Sequence, residues 1–87
     1  MRLDKYLKVS RLIKRRTVAN EACDNGLVEV NGKVQRASYD VKVGDILALH
    51  FGARTLKVEV ITVADNVSKA DAAAMYREVS EYGIKNA

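Results

Sequence analysis

Residues 1–26, MRLDKYLKVSRLIKRRTVANEACDNG, decide how this 87-residue chain folds, and the run SRLIKRR from Ser10 to Arg16 is the pivot within them. Leu3, Tyr6, Leu7, Ser10 and Ile13 recur at three- and four-residue spacing, so Arg2 to about Ile13 reads as a helix with one buried stripe. At about 100° per residue, Lys5, Lys8 and Arg11 fall on the opposite side. Lys14, Arg15 and Arg16 then form the turn out of that helix, and Thr17 is placed to cap the next one. Val18, Ala19, Ala22 and Cys23 supply the second helix's apolar stripe, and Asn25-Gly26 ends it with a residue tolerant of positive φ. The unit is two helices with cations gathered at their corner.

Charge is distributed unevenly. Residues 1–16 hold Arg2, Lys5, Lys8, Arg11, Lys14, Arg15 and Arg16 against one acid, Asp4, while the rest of the chain is net acidic and the whole sums to +4. One-sided charge of this kind points to a polyanion meeting one end of the molecule, since a solubilising surface mixes its signs. Arg offers a planar fork matched to phosphate oxygens, and the amide groups opening the second helix near Thr17 favour the same charge. RNA, DNA and an acidic membrane surface all satisfy that requirement. RNA is favoured because apolar wedges for a groove are scarce and structured RNA is read largely by shape and backbone. A DNA-reading second helix would not carry Glu21 and Asp24 toward phosphates.

Beyond Gly26 the period changes from helical to two. Val28 and Val30, Asn31-Gly32 and then Val34 read as a hairpin. A three-residue loop that opposes Val28 to Val34 and Glu29 to Lys33 is preferred over a two-residue loop setting Val30 against Lys33, because it pairs like with like. Ile46, Leu47, Leu49 and Phe51 make the next strand, closed by Gly52, and Leu56, Val58, Val60 and Ile61 another. Ser68 and Asp71 form a capping-box-like start. Ala72, Met75, Tyr76 and Val79 continue at helical spacing, so a helix is expected from about Lys69 to Glu81. The fold class is α+β: two N-terminal helices on a small, mostly antiparallel sheet, with a C-terminal helix. One domain is expected over 1–87, with 1–49 as core and 50–87 as a strand and helix extension.

Groups able to carry catalysis are scarce. His50 is the single histidine, turned outward by strand alternation, and the acids are scattered without metal-ligand spacing. Cys23 has no second cysteine to pair with and reads as a small buried thiol. No catalytic residue, metal or cofactor is therefore assigned. No apolar run approaches the roughly 20 residues of a bilayer span, and MRLDKYLK lacks a signal-type apolar region, so a cytoplasmic, membrane-free protein is expected.

MRLDKYL, RRTVANEACDNG, VEVNGKV and the VGD of residues 43–45 together resemble the S-four RNA-binding domain, over about Met1 to Leu49. HFGARTLKVEVI and AAAMYREVSE extend the likeness to the stand-alone members grouped with the fifteen-kilodalton heat-shock protein, and among them to the small bacterial factors of ribosome-associated quality control. The resemblance implies two helices packed on a sheet, with RNA bound along the helical corner. It further implies binding to obstructed large ribosomal subunits, with contacts to 23S rRNA and P-site peptidyl-tRNA. A partner, the alanine-tailing quality-control factor, would extend the stalled peptide on the same subunit. Arg2 and Arg16 match the family's arginines, and Lys5, Lys8, Arg11, Lys14, Arg15 and Thr17 complete the implied RNA-binding set. The hairpin is left out, because Leu27 and Glu29 stand where the family often has Arg or Lys. A monomer is expected. Two other roles are compatible with the same sequence: general recycling of blocked subunits after heat shock, and a protein-interaction adaptor docking through the helix face around Met75 and Tyr76.

Overall fold

The computed structural model describes residues 1–79. Helix α1 spans Leu3–Val9 and α2 spans Arg16–Asp24; strands β1 (Val28–Val30), β2 (Lys33–Val34), β3 (Ile46–Phe51) and β4 (Arg54–Val60) follow. A short helix α3 (Lys69–Ala72) leads through a 3₁₀ turn, Ala73–Met75, into β5 (Tyr76–Glu78). The strands form one antiparallel sheet in the order β2-β1-β3-β4-β5. The architecture is α+β, with both N-terminal helices packed on the sheet.

Alternation along the strands sorts the two sheet faces. Val28, Val30, Leu47, Leu49, Val58 and Val60 point inward and are buried against Leu3, Tyr6, Leu7 and Ile13 and against Ala19, Ala22 and Cys23 of α2. The stripe read from α1 is thus the core stripe, including Ser10, whose hydroxyl donates to the Leu7 carbonyl at 3.3 Å. Of the residues expected in the α2 stripe, Val18 is 46% exposed and lies outside it. Burial pushes the Cys23 thiol up to about 11, with the charges of Asp4 and Asp24 adding to the effect.

Four further expectations are corrected by the structure. Helix α1 stops at Val9 instead of continuing to Ile13, because Arg11 takes the left-handed conformation, φ +64°. Ile13 nevertheless reaches the core as its amide donates back to the Leu7 carbonyl at 3.0 Å. Thr17 does not cap α2: the extended residue before the helix is Arg15, with no side-chain cap, and Thr17 sits exposed in the first turn.

The hairpin adopts the rejected register, Glu29 opposite Val34 and Val30 opposite Lys33, around a two-residue Asn31-Gly32 turn. Both turn residues have positive φ, +52° and +86°, the geometry that matches strand twist in two-residue loops. Asn31 is further held from outside the hairpin: its side-chain Nδ2 donates to Asp45 at 3.0 Å and its side-chain Oδ1 accepts from the Ile46 amide at 3.0 Å. These contacts outweigh the side-chain matching that favoured the other register.

The C-terminal helix exists only as Lys69–Ala72, opened by Ser68, whose hydroxyl accepts from the Asp71 amide at 3.1 Å. Tyr76–Glu78 is a strand instead, and the expected helical positions from 80 onward lie outside the described residues. The reason is the edge of β4, whose backbone groups need partners. The Ile61 and Thr62 amides donate to the Met75 carbonyl, the Val79 amide donates to Lys57, and Tyr76 pairs with Val60. Met75 is 1% exposed, which removes it from any docking face of the adaptor kind. Its carbonyl also accepts the Tyr6 hydroxyl at 2.9 Å, tying α1 to the last strand.

Candidate nucleic-acid interface

Asp4 stands beside the core stripe on α1, one residue from Leu3 and three from Leu7, and is 2% exposed. A buried carboxylate requires donors. It receives them from the Lys5 amide at 2.8 Å, Arg2 Nε at 3.1 Å, Arg2 Nη2 at 3.3 Å and Asn20 Nδ2 at 3.2 Å. Arg16 adds a hydrogen bond from Nη2 at 3.5 Å and an ion-pair contact from Nε at 3.5 Å. Burial by itself would raise this carboxyl; the Arg2 and Asn20 hydrogen bonds and the charges of Arg16 and Arg2 reverse that effect and hold it down to about 2. The same contacts raise the Arg2 guanidinium, through its hydrogen bond to Asp4 and then its charge.

Arg2 and Arg16, the two leading candidates from the sequence, are therefore brought together on one carboxylate. Arg2 is also placed by its backbone. Residues 1–4 run along the 37–41 segment, with the Leu3 amide donating to Tyr39 at 2.8 Å and the Asp4 amide to Ala37 at 3.1 Å. Both arginine side chains remain 48% exposed, so each guanidinium has a buried edge on Asp4 and an open edge toward solvent.

The supporting cations divide into two groups. Lys5 turns to Asp65, 3.0 Å away, and its charge is shared. Lys8, Arg11, Lys14 and Arg15 are exposed with no ion pair among the described residues, and Thr17 beside them makes no side-chain hydrogen bond there. Left-handed backbone at Arg11 turns the chain out of α1 and carries Lys14 and Arg15 across the corner to α2. The arrangement concentrates positive charge around a firmly packed corner, able to bind a phosphate backbone without any bond-making group.

Asp4 and Asn20 escaped the sequence reading, which counted Asp4 only as a charge. The signal was present: an acid flanking a buried helical stripe, two residues after an arginine, needs a cation close by. His50 lies on the outer face of the sheet, as its alternation indicates, with Nε2 2.7 Å from Glu29 and Nδ1 3.0 Å from Thr55. An open groove of about 780 Å³ between the end of α2 and residues 34–39 carries Asp24 and Arg36 and no acid–base pair suited to catalysis.

Residues 1–47 match the S4 domain, which places the whole helical corner, the β1–β2 hairpin and the start of β3 within the matched region. The chain belongs to the S4-domain family. Several relatives align along nearly its whole length. The "RQC P-site tRNA stabilizing factor" of Streptococcus pneumoniae is 53% identical over 98% of this chain and 97% of its own. That of Bacillus subtilis is 51% identical over 93% of this chain and 94% of its own. Among solved structures, the trimeric heat shock protein 15 of Vibrio cholerae superposes with a TM-score of 0.86 at 28% identity, over 98% of this chain and 87% of that one. The S4-domain resemblance and the narrower likeness to the quality-control factors, both read from the motifs, agree with these matches, and the two helices and the hairpin lie wholly within the family match.

Proposed function

We propose that this S4-domain chain is a non-catalytic RNA-binding factor of ribosome-associated quality control. As a single-domain, cytoplasmic monomer it binds obstructed large ribosomal subunits. There it contacts 23S rRNA and the P-site peptidyl-tRNA, holding that tRNA while the alanine-tailing factor extends the stalled peptide without a template. The observation that carries the reading is the α1–α2 corner, where Arg2 and Arg16 sit on Asp4 with Lys8, Arg11, Lys14 and Arg15 exposed around them. The names of the relatives that align with nearly the full chain support the ribosomal setting. No helix among the described residues is long and apolar enough to cross a membrane.

The mechanism needs only positioning and charge. Phosphate contacts fix the register of a protein on RNA, and a firmly packed corner holds two backbone segments in a constant relation. Arg2, Lys5, Lys8, Arg11, Lys14, Arg15 and Arg16, with Thr17 at the start of α2, supply these contacts. No metal or cofactor takes part.

Arg16→Ala tests the reading. Asp4 keeps Arg2, Asn20 and the Lys5 amide, and an ion pair whose cation is half exposed contributes at most about 1 kcal/mol, so the variant stays folded. Co-sedimentation with large subunits is lost. Co-sedimentation equal to the parent chain refutes the assignment. Five or six phosphate contacts correspond to a log–log salt slope of roughly −4.5 to −5.4, and a flat dependence refutes the electrostatic mechanism. The likeness to heat shock protein 15 supports a second reading, recycling of blocked subunits without a role in tailing. Persistence of alanine-tailed peptides in cells lacking the protein would favour it.

A further inference from the structure

An acid at the centre of a polyanion-binding face is electrostatically costly, and Asp4 occupies that position. Its two oxygens are saturated. Oδ1 accepts from the Lys5 amide, Arg2 Nε and Arg16 Nη2; Oδ2 accepts from Arg2 Nη2 and Asn20 Nδ2, with the Arg16 Nε in ion-pair contact at 3.5 Å. Arg2 thus spends one edge of its fork, Nε and one Nη2 hydrogen, on the carboxylate, and Arg16 spends one Nη2 hydrogen with its Nε in ion-pair contact. A guanidinium carries five N–H donors. The two hydrogens on Nη1 and one on Nη2 are left at Arg2, and at least these at Arg16, on side chains that are 48% exposed.

We propose that Asp4 is a positioning residue, which aligns the guanidinium groups of Arg2 and Arg16 side by side so that their remaining donors meet the RNA backbone as one prearranged unit. This rests on the RNA-binding reading above and deepens it. The physical reason is entropy. A free surface arginine must surrender its rotamers on binding, whereas one already held on a buried carboxylate has surrendered them on folding. Asn20 secures the carboxylate from α2 and the Lys5 amide from α1. The clamp therefore also spans the two helices whose corner carries the other cations. Exposed cations such as Lys14 and Arg15 supply attraction without such order.

The two accounts of Asp4 predict opposite signs. If charge alone mattered, Asp4→Asn, which raises the net charge from +4 to +5, would tighten RNA binding. If Asp4 aligns the arginines, the same change weakens it, by about tenfold for two side chains set free. The assay is titration of fluorescently labelled protein with purified bacterial large ribosomal subunits carrying a P-site tRNA, at one fixed ionic strength low enough that the exposed cations keep the residual binding of the alanine variants measurable where co-sedimentation no longer detects it. The chain is compared with Asp4→Asn, Arg2→Ala/Arg16→Ala and the triple variant combining them. The expected result is a tenfold loss for Asp4→Asn that vanishes in the Arg2→Ala/Arg16→Ala background, because there is nothing left to align. Unchanged or tighter binding by Asp4→Asn, or an equal loss in both backgrounds, overturns the inference alone. Unchanged binding by Arg2→Ala/Arg16→Ala overturns the RNA-binding site itself. A second measurement needs only the parent chain: the arginine Nε–H resonances in a ¹H–¹⁵N spectrum of free protein. That of Arg2, bonded to Asp4 through Nε, must stand apart from the exposed-arginine cluster and disappear in Arg2→Ala. Its absence from the parent spectrum overturns the proposal even if Asp4→Asn fails to fold.

Discussion

Acid titration of Asp4 gives a quantitative test of the corner's packing. Its carboxyl lies at about 2 in the folded chain against an ordinary 3.8. A depression of that size corresponds to about 2 kcal/mol, at about 1.4 kcal/mol per tenfold change in proton affinity. Because the folded value is the lower one, this stabilisation is present in full above the unfolded value and is lost as pH falls from about 4 through about 2. Asp40 is also held below the ordinary carboxylate value by its contact with the α-amino group of Met1. Comparing the parent chain with Asp4→Asn cancels that contribution. Urea unfolding followed by circular dichroism at intervals from pH 7 to pH 2 should show the stability difference between the two proteins shifting by about 2 kcal/mol in the parent's disfavour, all of it below about pH 4. A difference constant to within about 0.5 kcal/mol, or one that moves mainly above pH 5, refutes the account of Asp4 as a carboxylate held ionised by Arg2, Asn20 and Arg16.

Three further perturbations test the frame. Tyr6→Phe removes the buried bond to Met75, whose carbonyl keeps the Ile61 and Thr62 amides, so the cost is that of one hydrogen bond, about 1 kcal/mol, and a fall of about 4–8 °C in Tm by calorimetry. Asn31→Ala loses two side-chain bonds to the start of β3 and places alanine at φ +52°. A loss of about 2–3 kcal/mol by chemical denaturation is expected, of which Asn31→Gly recovers only the backbone part. Arg11→Gly relieves a left-handed arginine while deleting an exposed cation. Unfolding stability should rise by about 0.5–1 kcal/mol as affinity for large subunits falls, a divergence that a purely structural role for Arg11 would not produce.

The paired arginines also temper a simple count of charge. Seven basic groups precede Thr17, yet Lys5 shares its charge with Asp65, and Arg2 and Arg16 share Asp4. The corner thus combines freely hydrated cations, suited to long-range attraction, with a held pair suited to orientation.

What the sequence determined by itself was whatever depends on neighbours along the chain. Leu3, Tyr6, Leu7, Ser10 and Ile13 were legible as a buried stripe, and the inward residues of β1, β3 and β4 as alternation, because period reports which side of an element leaves water. The gathering of cations before Thr17 was equally plain. Tertiary structure decided what depends on distant partners. Tyr76–Glu78 carries helical spacing, but the unpaired edge of β4 offers it backbone partners that a helix would leave unmet. Asn31 chose the two-residue turn because Asp45 and Ile46 lie against it. Asp4 looked like one acid among many until α2 brought Arg16 and Asn20 within 3.5 Å of it. A buried charge is satisfied by whatever the fold places beside it, and that neighbourhood is not written in the spacing of any single helix.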